Sequence, residues 1–245
     1  MIERSTTETA PAVHARLAAP ASRARALWAL VAKELLVEWR QRARLSATAF
    51  FGLMVLLMFS FAVGPKHALL VKNAPGYLWL GIFFAGVLHL GAAMRVETTN
   101  DALDGLRLAG VSGATLFFAK ALVNTLVLAV LGGAMLPICL ALYGAQLTGS
   151  AMVFVGVLLL GCGAVCAPGT LYGIITARAR AQDVLFPLLL LPLVVPSLMA
   201  AVKATGLLFT GDPMGQLGSW LQLLAACNGI YWPLSALLFG RVIEE

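Results

Sequence analysis

"ALVNTLVLAVLGGAMLPICLALYGAQLTGSAMVFVGVLLLGCGAVCAPGTLYGIITA", from Ala121 to Ala177, contains no Lys, Arg, Asp or Glu. About 20 apolar residues in helical form cross a hydrocarbon core roughly 30 Å thick, so this stretch is too long for one crossing. The polar, glycine-bearing patch "GAQLTGS" (Gly144 to Ser150) divides it into two. Working outward, Ser46 to Gly64 and Gly76 to Met94 are uncharged spans on the amino-terminal side, Val184 to Val202 is a fifth, and Pro213 to Gly240 holds a sixth from about Leu217 onward. Backbone polar groups in lipid must be satisfied within the segment, which selects helices for such runs. The fold class is an all-α membrane protein with six transmembrane helices.

Composition agrees: the chain of 245 residues is 60% hydrophobic and only 11% charged, outside the range of ordinary soluble domains. Six spans place both termini on one side. Of the 17 Lys and Arg residues, all but Lys66, Lys72 and Lys203 fall in the amino-terminal segment, the loops after spans two and four, or the carboxyl end. By the positive-inside rule those regions are cytoplasmic and the protein is a multi-pass membrane protein. The net charge of +6 is thus a topology signal. Nucleic acid is not an expected partner, because the basic residues are dispersed among loops and form no continuous phosphate-tracking face.

The first span begins only near residue 46, behind eight basic residues, so no cleavable signal peptide is visible and the first helix is expected to be a retained anchor. Residues 1–25, rich in Ala, Thr and Ser, read as a disordered tail, and residues 26–245 as a single transmembrane domain. Between them, "RALWALVAKELLVEWRQRARL" repeats Trp28, Val31, Leu35 and Trp39 at three- and four-residue steps. Lys33, Glu34, Glu38, Arg40, Gln41 and Arg42 take much of the remaining surface. This predicts an amphipathic helix lying in the cytoplasmic interface, its tryptophans at headgroup level and its arginines toward anionic lipid.

Chemistry at depth is sparse. Transporters that carry protons or ions need titratable groups inside the bilayer; here Lys120 sits near the start of span three, where it can snorkel to the cytoplasmic face, and His89 is the only histidine in a span. A lone His without a nearby carboxylate reads as a packed bundle residue, with haem or metal ligation the sharper alternative. Cys139, Cys162, Cys166 and Cys227 all lie in spans. The i, i+4 pair Cys162 and Cys166 has the spacing of a thiol or metal site, but Gly161, Gly163, Ala164 and Ala167 beside it make a small-residue packing face the plainer account. No GxxxxGK[ST], HExxH or GxSxG occurs, so no catalytic residue is assigned and no resident metal or cofactor is expected. Pro137, Pro168, Pro187, Pro192, Pro196 and Pro233 fall within or at the edges of four spans, and "GTLYG" (Gly169 to Gly173) is a close-approach step. These features fit either packing irregularity or deformable helices that move against a partner.

The loop after span two carries "RVETTNDALDGLRLAG", Arg95 to Gly110, with five charges. Leu103, Leu106 and Leu108 alternate with Glu97, Asp101, Asp104 and Arg107 as in a short amphipathic helix. At the cytoplasmic face of a bundle without catalytic groups, such a helix is expected to dock a soluble subunit. Arg178, Arg180 and Asp183 in the loop after span four form a second candidate surface.

Several stretches resemble the CcmB family, the membrane subunits of the ABC-type system for cytochrome c maturation. They are "KELLVEWR" (Lys33 to Arg40), "FSFAVGP" (Phe59 to Pro65), "APGYLWL" (Ala74 to Leu80), "ALDGLRLAGVS" (Ala102 to Ser112), "APG" (Ala167 to Gly169) and "PLLLLPLVVP" (Pro187 to Pro196). The resemblance runs from about Leu27 to Glu245. It implies an ABC-2-like transmembrane domain that does no catalysis itself and draws its energy from a separate CcmA-type ATPase, which binds the ATP. It also implies a CcmC-like haem-handling protein and a small CcmD-like protein as partners, the haem chaperone CcmE as an indirect one, and haem as possible cargo. The alternative within the same architecture is an ABC-2 permease exporting an unrelated drug, lipid or polysaccharide.

Overall fold

A computed structural model describes residues 23–64, 66–99, 112–177 and 182–244. Among the described residues the chain forms seven α-helices and no strand: α1 Arg23–Arg40, α2 Arg42–Val63, α3 His67–Thr99, α4 Gly113–Tyr143, α5 Ala151–Ala177, α6 Gln182–Thr210 and α7 Leu217–Glu244. Helices α2 to α7 are each long and apolar enough to cross a membrane, as the sequence predicts. The shortest, α2, has 22 residues, which at 1.5 Å per residue reach about 33 Å.

The helices overrun the uncharged spans. Helix α3 begins at His67 and includes Pro75, although the sequence reading starts this span at Gly76. A proline inside a helix loses one backbone hydrogen bond; here Pro75 is buried in the bundle, where packing holds the helix through it. Helix α4 starts at Gly113, well before Ala121, because the Ser112 hydroxyl accepts from the Thr115 N–H at 3.4 Å and caps the first turn. Helix α6 continues past Val202 to Thr210 and so carries Lys203 on a helix. Pro137, Pro168, Pro187, Pro192, Pro196 and Pro233 are all inside helices.

Two faces of the bundle are defined by the turns. On one, called here the α1 face, the ends of α4 and α7 meet so closely that a Cβ on Gly113 would stand 2.9 Å from Gly240 Cα. On the far face, Gly144 ends α4 in the left-handed conformation (φ 67°) against the His67 ring. There the Thr148 and Gly149 N–H groups donate to the Leu208 carbonyl at 3.0 and 2.9 Å, tying the α4–α5 turn to the end of α6. Asp212 starts α7: its two carboxylate oxygens accept from the Gln216 and Leu217 N–H groups, each at 2.8 Å. Those bonds from Leu217 and Gln216 hold its carboxyl below the ordinary value.

Helix α5 is the central post, packed by α3, α4, α6 and α7, whereas α2 is the most lipid-exposed span. Small side chains make this possible. The Trp79 ring of α3 lies on Gly161, where any Cβ would collide with it, and its indole N–H donates to Thr205 Oγ1 of α6 at 2.9 Å. Gly169 likewise leaves room for Leu90, so the glycine step read from the sequence does bring α5 against α3. Buried polar ties complete the bundle: Tyr143 Oη donates to the Leu56 carbonyl at 2.7 Å, Asn228 Nδ2 to Leu160 at 2.9 Å and Tyr231 Oη to Leu193 at 2.7 Å. Cys139, Cys162, Cys166 and Cys227 are free thiols buried in this packing.

Candidate functional site

Helix α1 is amphipathic, but its polar residues are distributed differently from the sequence reading. Trp28 and Trp39 face outward, 71% and 66% exposed, with Leu35 and Leu36 beside them. The Arg42 guanidinium lies 5.1 Å from the centre of the Trp39 ring. Lys33 and Arg40 are also exposed, and Arg40 sits in the last turn, where it complements the helix dipole. The inward face is Leu27, Leu30, Val31, Glu34 and Glu38, set on Ala119, Val123 and Val127 of α4. Glu34 and Glu38 are therefore not surface residues. They follow the apolar face at helical spacing and enter the bundle.

The reason is that each meets a cation there. Lys120 of α4 does not snorkel outward: its side chain is 3% exposed, and Nζ donates to Glu34 Oε1 at 3.2 Å. Lys33 Nζ donates to the same oxygen at 2.9 Å. Glu38 pairs with Arg44 in the first turn of α2. Burial alone would raise the Glu34 carboxyl, but Lys120 and Lys33 together outweigh it and hold it below its ordinary value. A carboxylate shared between two lysines thus locks α1 to α4, and a second pair locks it to α2.

Beyond these pairs lies His89 of α3, fully buried, its ring approached by the Asn124 side chain without a well-formed hydrogen bond. Glu38 and Arg44 are the charged side chains whose field acts on the ring. Asn124 Nδ2 of α4 donates to Thr170 Oγ1 of α5 at 3.2 Å, continuing the polar seam to the central helix. The bundle therefore holds a polar track from α1 through α2, α3 and α4 to α5. Sequence reasoning missed it because it scored α1 by its tryptophans; the signal was the i, i+4 placement of Glu34 and Glu38 in register with Leu27, Leu30 and Val31.

The docking run is only partly in view. Helix α3 extends through Glu97 to Thr99, so the start of the run is helical; the Glu97 side chain, and Asp101, Leu103, Asp104, Leu106 and Arg107, lie outside the described residues. Arg178 and Arg180 do so too. Asp183 is described: it is exposed in the first turn of α6.

Six apolar helices, four of them packed on a small-residue central one, with an interfacial helix latched to one face by buried ion pairs, define a multi-pass helical membrane protein. The chain belongs to the CcmB protein family, whose model matches residues 25–239. It is 31% identical over 193 residues to Heme exporter protein B of Paracoccus denitrificans, covering 77% of this chain and 87% of that protein. To Heme exporter protein B of Rhodobacter capsulatus it is 30% identical over 176 residues, 70% and 78% of the two chains. The protein of the same name from Pseudomonas aeruginosa is 27% identical over 197 residues, 80% of this chain and 88% of that one.

Proposed function

We propose that this chain is the membrane subunit of an ABC-type haem-export complex that serves cytochrome c maturation in the bacterial inner membrane. The observation that carries the reading is the CcmB match, which runs from α1 into α7 and so includes every spanning helix. The relatives that share most of its length are named Heme exporter protein B. The basic bias of the α1 face makes that face cytoplasmic, with both termini inside.

ATP is hydrolysed by a separate CcmA-type subunit, and this chain has no catalytic role. The ATPase docks on the α1 face through the 97–107 run, with Arg178, Arg180 and Asp183 as flanking contacts. Closure of the ATPase moves that run. Because α3 leads directly into it, and α1 is ionically tied to α4 and α2, the displacement passes into the polar track and from there to α5. The output on the periplasmic side is haem export or release of haem-loaded CcmE, in concert with CcmC-like and CcmD-like partners.

The test is the double variant Asp101→Lys with Asp104→Lys. It reverses the charge at the docking run without entering a span. The chain is expected to stay in the membrane while co-purified ATPase and holocytochrome c both fall sharply; the same changes at Glu244 and Glu245 are expected to have little effect. Normal ATPase binding and normal maturation in the Asp101/Asp104 variant would refute this docking site. A membrane-impermeant thiol reagent reaching a cysteine placed at Arg107 from the periplasmic side would refute the orientation.

A further inference from the structure

Three lysines depart from the charge bias of this chain, and two of them converge. Lys72 of α3 and Lys203 of α6, far apart in sequence, line one open cleft of about 710 Å³ at the far face. Small-molecule sites typically measure about 300–1,000 Å³. Among the cleft's lining residues there is no carboxylate. Asp212, in the adjoining turn, has both oxygens committed to the Gln216 and Leu217 N–H groups. Lys203 lies seven residues before the end of α6, about 10 Å along the helix. The Lys203 backbone is thereby set below the rim, while its exposed side chain can reach toward it along the apolar wall.

The rest of the cleft suits an amphiphile. Its body is bounded by Leu80, Val202, Leu207 and Trp220, while Asn73 and Gln216 add neutral hydrogen-bonding groups. Tyr77 is fixed in place: its ring stacks on Phe59 at 4.5 Å, and its hydroxyl accepts from Asn73 Nδ2 at 3.3 Å. Two glycines keep the space clear. A Cβ on Gly76 would meet nothing within 4 Å, and one on Gly206 would touch only Pro75 Cγ at 3.8 Å. A side chain at either position is tolerated by the backbone and occupies the cleft.

We propose that this cleft binds an anionic amphiphile, with a carboxylate or phosphate head held by Lys72 and Lys203 and an apolar body against α6 and α7. A membrane phospholipid and a dicarboxylate tetrapyrrole both have this chemistry; only the second rests on the haem-export reading above.

The full chain in nanodiscs of phosphatidylcholine separates them. Haemin is titrated by its visible absorption and brominated phosphatidylglycerol by tryptophan quenching, in wild type, Lys72→Ala/Lys203→Ala, Gly76→Leu and Lys66→Ala. At least one probe is expected to bind wild type saturably and the double-lysine variant at least about tenfold more weakly. Gly76→Leu, which keeps both charges, is expected to weaken the same probe, and Lys66→Ala, outside the cleft, to leave it unchanged. Haemin alone showing this pattern assigns the tetrapyrrole, phosphatidylglycerol alone the lipid, and either supports the site. The proposal is overturned if neither probe binds saturably, or if Gly76→Leu and the lysine variants bind like wild type. Holocytochrome c is scored separately in a strain lacking the chain: unchanged cytochromes there defeat the haem-export reading without touching the titration, and unchanged binding defeats the cleft without touching that reading.

Discussion

At the residue scale the informative group is Glu34, a carboxylate that a soluble interfacial helix would expose and that this chain buries between Lys33 and Lys120. Removing one member of a buried pair strands the other, a loss of about 3–5 kcal/mol in comparable sites. Lys120→Ala and Glu34→Ala are therefore each expected to lower the thermal midpoint in detergent, and Glu34→Leu with Lys120→Met to lose much less than their sum. Additive losses would show that the pair is not the latch. The pH dependence has a definite sign. The folded carboxyl is depressed, so its stabilisation is fully present above the ordinary value of 4.5 and is lost only as pH falls through the lower folded value. Protease access to α1 should stay constant from neutral pH to about 5 and rise below that range. His89 offers a second test. Its buried ring has only a poorly formed contact with the Asn124 side chain, so His89→Leu should come close to wild-type stability, whereas His89→Ala leaves a void costing about 1–3 kcal/mol. A stable His89→Leu protein that cannot support cytochrome maturation would give the imidazole a functional role.

At the element scale α5 sets the geometry, since its small residues let α3 and α6 approach. Gly161→Ala drives a methyl into Trp79, which its bond to Thr205 keeps from swinging away. A loss of about 1–3 kcal/mol is expected. Gly156→Ala, where a Cβ meets nothing within 4 Å, should be neutral or stabilising by up to about 1 kcal/mol. Equal effects of the two on detergent melting curves would contradict the packing account. Here the limits of sequence reading are physical. The six spans were legible because hydrocarbon thickness dictates their length, and Gly144 to Ser150 was legible as a break because glycine and polar residues end helices. The ends were less so: Ser112 capping α4 and packing around Pro75 both extend helices beyond the uncharged runs. The inward turn of Glu34 and Glu38 escaped notice because hydropathy cannot tell a carboxylate facing water from one facing a buried lysine. Lys72 and Lys203 meet only through tertiary structure.

At the scale of the whole molecule the parts form one mechanical path. The run proposed to dock the ATPase begins in the last turns of α3, α1 is tied to α4 and α2, and Asn124 and Thr170 join that region to the central post. In the proposed mechanism such a subunit transmits the work of a separate ATPase and is silent without it. The most direct measurement is covalent haem staining of c-type cytochromes in a bacterium deleted for its own CcmB-family protein. Supplied with this chain, together with its cognate ATPase and partner subunits, the strain should regain staining. It should lose it again when the partner ATPase is made unable to hydrolyse ATP. Mature cytochromes at wild-type level in the absence of this chain, or in its presence with the inactive ATPase, would contradict the account.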